Sequence, residues 1–144
     1  MADKRMFSRA IVESDAFLDL PIGAQGLYLH LCMNADDEGF IGAPRRAARV
    51  CGASEDDLAA LIAARFLLSF DSGVVVVKHW YINNYLKQDR FKPTVYTEER
   101  ATLAVKDNKA YTDNPGRVSE EFRKSFGNKC FQNGRVSETN SSAE

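Results

Sequence analysis

Between Asp36 and Trp80 the apolar positions change period several times, and nearly every change falls at a residue that starts or stops a regular element. Gly39, Phe40 and Ile41 form a brief apolar run behind an acidic turn. Pro44 suits the first position of a helix, where a missing N–H costs nothing. The helix it opens, Arg45 to Val50, stops at Gly52, a residue able to adopt the left-handed cap. Ser54 caps the next helix, with Asp57 three residues on in the capping-box position. On that helix Leu58, Leu61 and Ile62 repeat at i, i+3 and i+4, the spacing of a single core-facing stripe. Two strands follow, Phe66 to Phe70 and Val74 to Trp80, joined by the turn formers Asp71, Ser72 and Gly73. Four consecutive valines in the second suit a mostly buried strand better than a surface helix.

Upstream, Met1 to Ser14 alternates Lys4, Arg5 and Arg9 with Met6, Phe7, Ile11 and Val12, the pattern of an extended arm or edge strand that docks on the domain. Asp15 to Leu20 reads as one helical turn, and Pro21 begins a long helix ending near Asn34. That helix carries two apolar stripes, Ala24, Leu27, Tyr28 and Leu31 on one side, and Ile22, Leu29 and Met33 on the other. A helix apolar on two sides requires two covers. One is the pair of helices that follows; the other is the arm, the segment behind the hairpin, or a second protomer. The order helix, strand, helix, turn, helix and hairpin predicts a mainly α chain with a small β-wing, of α+β class, on the plan of a winged helix-turn-helix.

Downstream, Thr97, Glu98 and Glu99 open a last short helix to about Val105; Lys106 to Asn108 make a turn, and Lys109 to Thr112 the final ordered piece. From Asp113 the composition shifts to Asn, Ser, Gly and mixed charge, so residues 1–112 are expected to form one domain and 113–144 a polar, disordered tail. Within the tail Gly116-Arg117-Val118-Ser119-Glu120 recurs as Gly134-Arg135-Val136-Ser137-Glu138, two copies too short to define a repeat fold. Phe122, Phe126 and Phe131 are its few apolar contact points.

Length allows one compact domain with a remainder, since 144 residues fall short of two full domains. No apolar run approaches the roughly 18 residues of a membrane span, and the charged start is unlike a signal peptide. A cytoplasmic location is therefore expected. Cys32, Cys51 and Cys130 are odd in number and widely spaced, which favours idle or buried thiols over disulfides or zinc.

The net charge is −1, but the charges are segregated. Glu13, Asp15, Asp19, Asp36, Asp37 and Glu38 lie in a stretch without Lys or Arg, whereas Arg45, Arg46 and Arg49 follow without any acid among them. A second basic stretch holds Lys78, Lys87, Arg90 and Lys92 against Asp89 alone. Such segregation makes a positive face on a neutral protein, although each cation also fits an ordinary solvated surface. Tyr81, Tyr85, Phe91 and Tyr96 are interleaved with the second basic stretch, a mixture suited to phosphate contact and base stacking or to strapping the segment onto the core.

The second helix of the helix-turn-helix occupies the place of a recognition helix, yet it begins with Glu55 and Asp56 and continues with Ala59, Ala60 and Ala63. Acids there suit the helix dipole and repel phosphate. The alanine face suits a protein interface, as do Leu29 and Met33. The run Asp36-Asp37-Glu38-Gly39 lacks the alternating ligand spacing of a calcium loop and reads more simply as a turn. His30 and His79 belong to no nucleophile or metal motif, and no phosphate-binding glycine loop is present. Neither an enzymatic activity, a cofactor nor a small-molecule substrate is expected.

The run RMFSRAIVESDAFLDLP, followed by ADDEGFI, GASEDDL, SGVVVVKHWYINNYLKQDRFKPT and YTEE, resembles the N-terminal domain of phage and prophage replisome organisers, the replication initiation proteins related in plan to the winged-helix domain of DnaD primosome proteins. The likeness covers about Lys4 to Tyr111 and is most distinctive around Trp80, Asn83, Asn84, Tyr85, Asp89 and Arg90. It implies origin-DNA binding, self-association and contact with other replication proteins. The short tail departs from the longer members, in which a C-terminal region engages helicase loading. The residues expected to meet DNA are Arg45, Arg46, Arg49, Lys78, Lys87, Arg90 and Lys92; a rival expectation is an oligomerising scaffold with little DNA binding of its own.

Overall fold

A computed structural model describes residues 4–84 and 91–113. Two short helices, α1 (Arg9–Val12) and α2 (Asp15–Leu18), open the chain, each capped by a serine hydroxyl: Ser8 accepts from the Ala10 N–H and Ser14 from the Phe17 N–H. The long α3 (Ile22–Asn34) then crosses the molecule and buries Ala24, Leu27, Tyr28, Leu31 and Cys32. Against this face pack α4 (Pro44–Cys51) and α5 (Glu55–Ala63), which also pack on each other. Their ends are local chemistry. Pro44 stands at the start of α4, and Gly52 closes it in the left-handed conformation at φ +82°. At α5 the Ser54 hydroxyl accepts from the Asp57 N–H at 3.1 Å while the Asp57 carboxylate accepts from the Ser54 N–H at 3.0 Å, a complete capping box.

A three-stranded antiparallel sheet closes the other side of the core, formed by β1 (Phe40–Ile41), β2 (Leu67–Ser69) and β3 (Val75–Val77) in the order β1-β3-β2. Val76 lies between Phe40 and Leu68 in register. The central place of β3 explains its valines, all buried, because a strand paired on both edges and covered on its faces has no polar side. Phe17, Tyr28 and Phe66 meet edge-on with centroids 5.2 to 5.9 Å apart and join α2, α3 and the root of β2. The architecture is α+β, and among the described residues no helix is long and apolar enough to cross a membrane.

Three elements differ from the sequence expectation. The strand expected to run to Trp80 ends at Val77, and Trp80 instead begins helix α6 (Trp80–Asn83), drawn inward by a bond from its indole N–H to the Asp37 carbonyl at 2.9 Å. The helix expected from Thr97 to Val105 is only α7 (Thr97–Ala101); Ala104–Val105 is strand β4, paired with β5 (Tyr111–Thr112) around a turn in which Lys109 takes φ +71°. Apolar residues after a capped helix satisfied both readings, and pairing with Tyr111 decided between them. The N-terminal arm forms no ladder among the described residues and turns helical at Arg9, because Asn83 and Asn84 accept its backbone N–H groups through their side chains: Ser8 N–H to Asn83 Oδ1 and Met6 N–H to Asn84 Oδ1, both 2.8 Å. Tyr85, the GRVSE echo and the tail phenylalanines lie outside the described residues.

Candidate nucleic-acid interface and the buried acidic turn

Among the described residues, the acidic turn gathers hydrogen bonds from the arm, from residues 92 to 94 and from Arg100. Asp36 Oδ1 accepts from the Glu38 and Phe40 N–H groups at 2.9 and 3.0 Å, and its other oxygen from the Thr94 hydroxyl at 2.6 Å. Asp37 accepts from Arg5 Nη2 at 3.2 Å and from the Lys92 N–H at 3.0 Å. Glu38 accepts from Arg100 Nε at 2.9 Å and from the Thr94 N–H at 3.0 Å, while its carbonyl accepts from the Tyr111 hydroxyl at 2.7 Å. Three consecutive carboxylates thus tie the arm, the segment behind the hairpin, and α7 to the start of β1. Their oxygens serve internal donors, which is the work of a structural turn and not of a ligand set. Arg5 and Arg100 complete the hub, lying over the Trp80 and Tyr111 rings at 5.0 and 5.1 Å.

Burial pushes the Glu38 carboxyl above its ordinary range, more strongly than Arg100 and the Thr94 N–H pull it down. Asp36 is raised for the same reason, against its own hydrogen bonds. The Cys32 thiol is pushed up to about 12 by burial, so it stays protonated and inert. His79 moves the opposite way: burial, with Lys78 and Lys106 close by, lowers it to about 4. It packs on Phe66 at 5.6 Å, and its Nδ1 has no hydrogen-bond partner.

That shift has a definite sign. The unfolded chain binds a proton at His79 below about pH 6.5 while the folded chain refuses it, so stability is present above that pH and is lost as pH falls toward 4. Raised carboxyls act in the reverse sense, making the folded state relatively more stable on acidification. His79→Phe keeps the stacking on Phe66 and isolates the histidine contribution: between pH 7 and pH 4.5 the wild type is expected to lose on the order of 2 kcal/mol more than the variant, allowing for the partly solvated ring. Urea melts across that range measure it, and parallel profiles would refute it.

The expected DNA-contact residues fall into four groups. Arg45, Arg46 and Arg49 all stand exposed on the outer face of α4, opposite the buried Ala47 and Ala48. Arg45 reaches Glu55 at 3.8 Å across a fully solvated gap, a pairing too exposed to hold it. Lys92 is exposed and lines a groove of about 300 Å³ with Asn34, Asp37 and Gly42, two residues before α4 begins. Lys92 and the residues just ahead of α4 therefore line one groove. Lys78 belongs elsewhere: half-buried at the end of β3, its backbone bonds Phe66 and Tyr111. Lys87 and Arg90 lie outside the described residues.

Comparison with protein-family models, curated proteins and solved structures finds no match to this chain. The geometry therefore bears the whole functional argument. The hairpin tip adds no cation, since it carries Asp71, and the Ser72 hydroxyl donates to Glu99 at 2.6 Å. On α5, Ala59 and Ala63 are exposed and Ala60 partly so, behind an acidic first turn. Missing from the sequence expectation were Arg5, Thr94 and Arg100 as partners of the acidic turn. Its only sequence signal was three adjacent acids before a strand, which does not say whether they face water.

Proposed function

We propose that this chain is a winged helix-turn-helix module that binds DNA in the manner of a phage-type replisome organiser, with α4, and not α5, as the principal contact. The observation that carries the reading is the set of three exposed arginines on α4 with no acid on that helix. The frame of α3, α4, α5 and a β1-β3-β2 sheet supports it, because this is the element order of a winged helix. Phosphate contact through Arg45, Arg46 and Arg49, with Lys92 at the rim, would be sequence-independent and strongly dependent on salt. A second reading, a scaffold that meets other replication proteins through Ala59, Ala60 and Ala63, is favoured by the acids at the start of α5, which repel a phosphate backbone.

Fluorescence anisotropy with a labelled mixed-sequence duplex of about 30 base pairs, titrated across salt, separates the two. Replacing Arg45, Arg46 and Arg49 together by Ala is expected to weaken binding at least about tenfold at low salt and to lower the salt slope by about three. The fold should be unaffected, since all three side chains are in solvent. Unchanged affinity and slope in the triple variant would sink the α4 model, and absence of binding by the wild type would favour the scaffold.

A further inference from the structure

The second apolar stripe of α3 is left uncovered by the described residues. Ile22 is 82% exposed, Met33 50% and Leu29 41%. Leu18, 55% exposed at the end of α2, is brought beside it by Gln25, whose amide donates to the Leu18 and Leu20 carbonyls at 3.3 and 3.0 Å. This face has an acidic edge. Asp15 and Asp19 stand exposed one turn before and directly after Leu18, no ion pair holds either of them among the described residues, and α3 itself carries no formal charge. The two described segments able to cover the stripe are engaged elsewhere. The arm is held by Asn83, Asn84 and Asp37, and residues 92 to 96 by the acidic turn and by Tyr96 stacking on Phe40 at 6.3 Å.

We infer that this face receives the chain's own tail, through the run Phe122 to Phe131. Residues 114–144 lie outside the described residues, and three observations select that run as the occupant. The first is its chemistry. The sequence FRKSFGNKCF sets Phe122, Phe126 and Phe131 among Arg123, Lys124 and Lys129 with no acid between them, the complement of an apolar stripe edged by Asp15 and Asp19. The second is where the described chain stops. Asp113 lies 3.7 Å from Arg65, the neighbour of Phe66, whose ring meets Phe17 at 5.6 Å and Tyr28 at 5.9 Å. Phe17 and Tyr28 directly precede Leu18 and Leu29, so the tail departs beside the two helices that carry the stripe. The third is reach. The nine steps from Asp113 to Phe122 span up to about 30 Å, close to three helix diameters, so the run arrives at the stripe with slack. A tether of that length supplies an effective concentration on the order of millimolar, so a face too small to hold a separate molecule is still covered. In the docked state the phenylalanines cover Leu18, Ile22, Leu29 and Met33, and the cations stay solvated along the acidic edge.

Cys130 supplies the probe. Cys32 is buried with its thiol held protonated, and Cys51→Ser removes the other described thiol, so a nitroxide label reacts at Cys130 alone in the full chain. The expected result is loss of most of the amide signal intensity at Leu18, Ile22, Leu29 and Met33, recovered when the nitroxide is reduced, with a much smaller loss at Ser72 on the hairpin tip. Leu29→Glu, whose side chain already stands partly in solvent, should abolish the loss, and so should Phe122→Ser with Phe126→Ser. Tryptic cleavage after Arg123 and Lys124, followed without any label, should run several-fold faster in Leu29→Glu than in the wild type. Intact signals at the four stripe residues, a loss that survives Leu29→Glu, or cleavage at the same rate in both chains each overturns the inference. So does a loss of equal size when the nitroxide is carried by a different chain from the one observed, which would place a second copy on the stripe. The outcome is independent of the DNA reading, since no nucleic acid is present and Arg45, Arg46 and Arg49 are unchanged in every variant.

Discussion

Replacing Glu38 by Ala is expected to destabilise the fold by about 3 to 5 kcal/mol, a large share of the roughly 5 to 15 kcal/mol that holds an ordinary domain folded. The reason is the partner left behind. Arg100 and Glu38 form a 2.9 Å pair whose side chains are 4% and 1% exposed, so the truncation takes the countercharge from a buried guanidinium that keeps its hydrogen bond to the Leu103 carbonyl at 3.2 Å. It also removes the acceptor of the Thr94 N–H, which is buried and has no route to solvent without local opening. Replacing both partners, Glu38→Ala with Arg100→Met, is expected to recover a large part of the loss, because an apolar pair of similar volume does not carry the penalty of an unpaired charge. Urea denaturation of the wild type, the two singles and the double gives the coupling directly. A Glu38→Ala variant within about 1 kcal/mol of wild type would show that the hub is not stabilising.

The second large effect is expected at Gly39. This residue holds φ +90° at the exit of the acidic turn, and a Cβ there would lie 2.7 Å from Trp80 Cγ. Gly39→Ala therefore combines backbone strain with overpacking against a buried indole, for a cost of roughly 3 kcal/mol. Gly73 provides the control. It has nearly the same backbone angle, φ +92°, but open space around the missing Cβ, so Gly73→Ala carries the strain alone, about 1 kcal/mol. Thermal melts of the two variants should differ by several degrees. Equal midpoints would mean that contact with Trp80 is not what demands glycine.

Both effects centre on a feature whose composition was visible and whose burial was not. Asp36, Asp37 and Glu38 read naturally as a solvated turn, because adjacent acids are seldom buried and their partners Arg5, Thr94 and Arg100 lie 32 to 62 positions away in the chain. The distinctive residues Trp80, Asn83 and Asn84 were legible as unusual, but their use was not. They fasten the acidic turn and the arm. On α4 the three arginines could be placed on a solvent face from spacing alone, since Ala47 and Ala48 claim the other side.

What the sequence determined by itself was whatever depends on neighbours a few residues away: the extents of α3, α4 and α5 from their caps and stripes, the hairpin from its turn residues, and the existence of a second apolar stripe on α3. Tertiary structure alone decided where Trp80 leaves the strand, that Ala104–Val105 pairs with Tyr111–Thr112, which carboxylates are buried, and that the arm and the segment behind the hairpin leave Ile22, Leu29 and Met33 uncovered. Helix caps and apolar periods act within one or two turns of chain, so local sequence specifies them. Charge pairing and burial are set by residues distant in sequence, and the packed fold chooses which of them meet.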